Sequence, residues 1–214
     1  VTKAFMRQYY ALIQWLLGSF VVVSSLLAWL DTRGPVDSLS IYDIFPPLGL
    51  IAFGLMWTHF VLGAVRRYAG YAKPAGDAYM SISMGLVLAL IILHPGLLWL
   101  GLYRDGFGLP PGSYLMAYES QLLAVLLGSI GLTIFLAFEL KRWFGQKAWW
   151  RYVEWAQIAG MAAIFVHAIQ LGGELRQDWY TFVWWLYGVT LVVAIMYTAI
   201  HHTKRKGRND AAKR

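Results

Sequence analysis

Six runs of some twenty mainly apolar residues take up almost the whole chain, at roughly 9–30, 42–65, 79–103, 116–140, 150–173 and 179–202. A helix needs about 20 such residues to cross a hydrocarbon core of roughly 30 Å. Six runs therefore predict six crossings. With 59% hydrophobic and only 14% charged residues, the chain has too little polar surface to cover a water-soluble globule. The other architecture that lipid allows is a closed barrel, whose strands alternate with period two over about ten residues; these runs are continuous instead. The expected fold is an all-α, polytopic six-helix transmembrane bundle over residues 1–203, followed by a basic tail over 204–214 that is solvated and partly disordered. The first run reaches Asp31 without a small-residue cleavage site, so it is expected to be retained. The spans leave no room for a soluble nucleotide or flavin domain, and such chemistry is expected from a partner.

Positively charged residues in short loops stay on the cytoplasmic side. Of the 18 Lys and Arg, 15 fall on the side of the two termini, and only Arg33, Arg104 and Arg176 fall on the other. Both termini are thus expected in the cytoplasm, and a bacterial inner membrane is the expected location. The net charge of +7 is accounted for by anchoring to anionic lipid, without nucleic acid. Tyr9, Tyr10, Trp57, Trp99, Tyr103, Trp149, Trp150, Trp179 and Tyr180 lie near the predicted boundaries, where interfacial aromatics collect. The absence of cysteine removes disulfides, iron–sulfur clusters and thiol catalysis. The segment Gly106 to Gly112 is expected to be a turn-rich connection after the third helix. No repeat relates the two halves of the sequence.

The histidines carry the chemistry, because an ionisable group in hydrocarbon is costly and marks either a functional site or an interior partner. At 1.5 Å per residue, His94 lies roughly 22 Å from the cytoplasmic end of the third helix and about 13 Å from its outer end. His167 lies roughly 9 Å from the outer end of the fifth helix, which runs in the same direction. Two neutral imidazoles at similar depth on parallel helices are what bis-histidine ligation of a b-type haem needs. Gly160, Ala162, Ala163, Ala168, Gly172 and Gly173 near His167, and Gly85 on the third helix, are small enough to admit a flat macrocycle, although small residues also serve plain helix packing.

Leu93-His94-Pro95 in the third span, with Trp150-Arg151-Tyr152 opening a fifth span that contains His167, resembles the ferric reductase-like transmembrane family, which includes the membrane domains of NADPH oxidases. The resemblance covers roughly residues 40–205. It implies a six-helix bundle that passes electrons across the membrane through b haems held by histidines of the third and fifth helices, with His94 and His167 as the axial ligands of the outer haem. The family's second histidine pair is missing, since its positions fall at Met80 or Ser81 and at Val153 or Glu154. One haem is therefore the first expectation and two the alternative. His59, about 9 Å from the inner surface, is the candidate for a second site. Met80 is expected to pack, His201 and His202 to sit solvated at the inner interface, and Glu154 to pair with Arg151 at helical spacing. Arg104 and Arg176 are candidates to meet haem propionates, or else interface anchors.

The function expected from these residues is a membrane b-type cytochrome taking electrons from a separate flavoprotein reductase or a quinol and passing them to an outer acceptor. Two other readings stay open. One is a transporter or channel with a histidine-lined path, against which stand the few other intramembrane charges, with Glu119 and Glu139 near helix ends. The other is a membrane anchor for a partner enzyme.

Overall fold

A computed structural model describes residues 8–33, 39–70 and 77–211. Six helices among them are long and apolar enough to cross a membrane. They belong to α1 (Tyr10–Arg33), α2 (Ile41–Ala69), α3 (Ala78–Arg104), α4 (Leu122–Phe138), α5 (Trp150–Leu171) and α6 (Asp178–Ala211), the fourth span taking in the turn from Glu119 and the sixth ending at His201. No strand occurs among the described residues. Large apolar side chains such as Leu12, Leu16, Ile92, Leu123, Phe182 and Val193 are exposed on the bundle surface. Such an exterior needs lipid around it, and the chain is an integral membrane protein.

The boundaries follow local chemistry. Ser40 accepts from the Asp43 amide while Asp43 reaches back to the Ser40 amide, a capping box that starts α2. Gly70 ends that helix in the left-handed region at φ 67°, where a side chain would be strained. Asp77 accepts from the Met80 amide and opens α3. The fourth span is shorter than its apolar run. A short helix, Gly112–Ala117, and a 3-10 turn, Glu119–Gln121, precede α4, because Gly106 and Gly108 adopt positive φ and Pro110 and Pro111 break the ladder after α3. The last helix is longer than expected. Its backbone stays helical through Ala211, where the sequence points to an irregular basic tail; residues 212–214 and the side chain of His202 lie outside the described residues.

The helices alternate in direction, so each end of the bundle collects the same set of connections. The terminal end holds the start of α1 and the end of α6; the far end holds the end of α1 and the starts of α2, α4 and α6. Tyr10 at the start of α1 donates to the Leu62 carbonyl late in α2, and Trp29 near the other end donates to the Asp43 carbonyl early in α2. That carbonyl is free because Pro47 has no N–H to offer it. Ser25 and Tyr180 tie α1 to α6 with hydroxyls 2.9 Å apart, and Trp57 donates to Thr190 between α2 and α6.

α2 is the hub. In its most apolar window 61% of residues are buried, against 17–33% in the other five spans. In lipid, helices are held together by close packing and by interhelical hydrogen bonds, and small residues make the approach possible. A Cβ on Gly54 of α2 would meet Val21 Cγ1 of α1 at 2.5 Å, and one on Gly131 of α4 would meet Ile164 Cγ1 of α5 at 2.5 Å. Gly54→Ala is therefore expected to destabilise the bundle by about 1–3 kcal/mol through overpacking, seen as a lower unfolding temperature in detergent. Gly85→Ala, which meets nothing within 4 Å, leaves that temperature unchanged.

Candidate functional site

The bundle divides into two closely packed antiparallel pairs, α2 with α3 and α4 with α5. Each pair presents one histidine to the space between them. His94 of α3 places Nδ1 2.7 Å from the Phe45 carbonyl of α2, and His167 of α5 places Nδ1 2.8 Å from the Ala124 carbonyl of α4. A carbonyl only accepts, so each Nδ1 carries the proton. That leaves Nε2 as the lone-pair nitrogen on both rings, and the described residues place no hydrogen bond on it.

Each bond depends on a glycine. The residue four positions after a helical carbonyl shares its face, and those residues are Gly49 after Phe45 and Gly128 after Ala124. A Cβ on Gly49 would lie 2.8 Å from His94 Cε1, and one on Gly128 would lie 2.7 Å from His167 Cε1. The imidazoles thus rest directly on backbone. Carbonyl, glycine one turn later and facing histidine recur in both helix pairs, although the sequences of the two halves show no repeat.

The two rings approach each other across a cavity of about 510 Å³. Their centroids are 6.4 Å apart and their planes nearly perpendicular, at 87°. The volume lies within the range of roughly 300–1,000 Å³ that small-ligand and cofactor sites occupy. Leu50, Ile91, Leu132, Phe135 and Ile164 give the cavity apolar walls. Trp184 also lines it, and its buried indole N–H has no hydrogen-bond partner among the described residues. Leaving such a donor unmatched costs about 1–3 kcal/mol, which a ligand acceptor would recover. Toward the far end the lining turns polar, with Thr32, Arg33, Asp43, Tyr118, Gln121 and Glu174.

The basic residue on this wall is Arg33. Its side chain is 8% exposed, its Nε lies 3.6 Å from Asp43 Oδ1, and its guanidinium stands 5.8 Å from the Trp29 ring. Arg104 and Arg176 are exposed and do not line the cavity. Both stand near helix ends, but on the exposed surface. Arg33, which looked distant in sequence, ends α1 directly over the cavity.

His59 is not brought to another histidine. Its Nε2 lies 2.8 Å from Ser83 Oγ of α3, toward the terminal end. Met80 packs against the small cluster of Tyr10, Leu62 and Tyr79. His201 stacks near Tyr197, with ring centroids 6.1 Å apart. Glu154 pairs with Lys141 at 3.0 Å instead of with Arg151, whose guanidinium donates to the Tyr152 hydroxyl. Among the described residues no group of three or more His, Cys, Asp or Glu side chains gathers around one point. Gly49, Gly128, Arg33 and Glu174 are the site residues that reading the sequence missed. The two glycines sit at the depth of the histidines, a signal visible only once the helix pairs are known.

Compared with known proteins, the chain matches no family model, no curated protein and no solved structure.

Proposed function

We propose that the chain is a membrane b-type cytochrome in which His94 and His167 hold one haem between the α2–α3 and α4–α5 pairs. The observation that carries this reading is the pair of imidazoles, each pinned through Nδ1 and facing the other across the cavity. The ring centroids stand 6.4 Å apart, and among the described residues neither Nε2 is taken by a hydrogen bond, so the two rings could offer their nitrogens to one iron. Two histidines with no third protein ligand nearby among the described residues would hold a bare ion poorly, since structural sites such as those of zinc use four, whereas a haem can be held by two histidines.

The chain's own residues would act as follows. The Phe45 and Ala124 carbonyls fix the tautomer and orientation of the two rings, as outer-shell acceptors do for metal-bound histidine. Leu50, Ile91, Leu132 and Ile164 would keep water out of the cavity, and that burial would help to set the potential of a bound haem. Arg33 would receive a carboxylate group where α1 ends, and the Trp184 N–H offers a separate donor on the cavity wall. When bound, the haem supplies a one-electron carrier, which the chain would use between a flavoprotein or quinol donor and an acceptor on the opposite side. The charge distribution supports placing the terminal end in the cytoplasm of a bacterial inner membrane. His59, beside Ser83 toward the terminal end, lies outside this arrangement.

The test is a reduced-minus-oxidised optical spectrum of detergent-purified protein with pyridine haemochrome quantification. One b-type haem per chain is expected. A second haem would require a site built around His59, and colourless protein after expression with ample haem would leave a transporter or an anchor subunit as the reading.

A further inference from the structure

Glu174 has no part in holding the cofactor, yet it is one of the most enclosed carboxyls in the bundle. It lies in the 3-10 turn Gly173–Arg176 that joins α5 to α6, is 4% exposed, and lines the same cavity as the histidines. The turn packs against α1 and α6. A charge in such surroundings is expensive unless it is paired. The charged and titratable groups that line this cavity with it are Arg33 of α1, Asp43 and Tyr42 of α2, His94 of α3, Tyr114 and Tyr118 before α4, and His167 of α5, and Tyr180 of α6 feels its charge. Arg33 is engaged with Asp43, and no ion pair reaches Glu174 among the described residues. Burial pushes the Glu174 carboxyl up from the usual carboxylate range, with its own backbone amide pulling the other way. Enclosed at 4% exposure on the cavity that both histidines line, the carboxyl would feel a change of charge there with little screening by water.

We propose that Glu174 binds one proton from the solvent at the far end when the cofactor between His94 and His167 gains an electron, and releases it on reoxidation. This rests on the haem reading. The balance is one electron from the donor and one proton onto a Glu174 carboxylate oxygen, with no other bond made or broken. An added negative charge in a poorly screened site raises the energy of a neighbouring carboxylate. Reduction thus favours the neutral acid, and by linkage the bound proton favours reduction.

The experiment is a mediated spectroelectrochemical titration of the full-length, haem-loaded protein in detergent, repeated from about pH 5 to about pH 9, the range around a raised carboxyl. In the wild type the midpoint potential is expected to fall as pH rises, by up to about 59 mV for each tenfold drop in proton concentration. The slope is confined to the interval between the carboxyl's titration points in the two redox states. Glu174→Gln, which keeps the shape and cannot ionise, is expected to flatten the profile; Glu174→Asp is expected to keep a slope whose break points move, because the carboxyl is changed. A flat wild-type profile overturns the inference, as does a slope that survives in Glu174→Gln. Where Glu174→Gln does not fold, break points in Glu174→Asp identical to those of the wild type overturn it as well. The spectrum is recorded before the titration, so colourless wild-type protein marks failure of the haem reading, whereas a b-type spectrum with a flat profile marks failure of this inference alone.

Discussion

Substituting alanine for either His94 or His167 is expected to abolish the b-type absorbance, with a loss of bound haem well beyond the roughly 10–100-fold that loss of a supporting hydrogen bond causes. In the proposed haem site each imidazole would be one of the two residues that hold the cofactor, and the described residues offer no third histidine near the cavity to take its place. The bundle itself is expected to persist. Both rings border the cavity, and the close contacts of Gly54 with Val21 and of Gly131 with Ile164, with the hydroxyl pair of Ser25 and Tyr180, continue to join the helices. Far-ultraviolet circular dichroism and elution volume should therefore match the wild type while the colour is lost. His59→Ala is the discriminating control. Its partner is Ser83 in the other half of the bundle, so the absorbance should be unchanged. A coloured His94→Ala protein would remove the basis for the proposed ligation, and a colourless His59→Ala protein would move the site to the terminal half.

The second large effect is expected from a single methyl group. Gly49→Ala and Gly128→Ala each place a Cβ under 3.0 Å from an imidazole that is already tied to the backbone. The ring must swing away, and the Nδ1–H bond to Phe45 or Ala124 lengthens or breaks. Because that bond sets which nitrogen faces the cavity, haem affinity is expected to fall about 10–100-fold, measured by competition for haem or by occupancy after purification. The two variants should behave alike, since the two helix pairs use the same construction. Gly85→Ala, on the helix that carries His94 but with open space around it, should bind haem as the wild type does. Full occupancy in both Gly49→Ala and Gly128→Ala would mean that the rings are free to move, and that the carbonyls do not position them.

Several features were readable from residues in order along the chain. Six apolar runs of membrane length stand as six helices because lipid leaves the backbone no partner but itself. The depth of His94 and His167 followed from 1.5 Å per residue along two helices running the same way, and the structure puts both on one cavity. Pro110 and Pro111 with Gly106 and Gly108 announced the break after α3, though not how far it delays α4.

What the order of residues did not reveal is which faces meet. In water a helix shows its buried side by the contrast between apolar and polar positions; here lipid-facing residues such as Leu123 and Phe182 are as apolar as the core residues Leu62 and Phe53, so the contrast disappears. Tertiary packing alone placed α2 at the centre, joined His94 to a carbonyl 49 residues away and His167 to one 43 residues away, and set Gly49 and Gly128 beneath the two rings. It also turned Arg33 and Glu174 onto the cavity while leaving Arg104 and Arg176 outside it. Length and hydropathy are properties of one helix at a time and are written locally in the sequence, whereas a site between helices exists only where side chains from distant segments fit together.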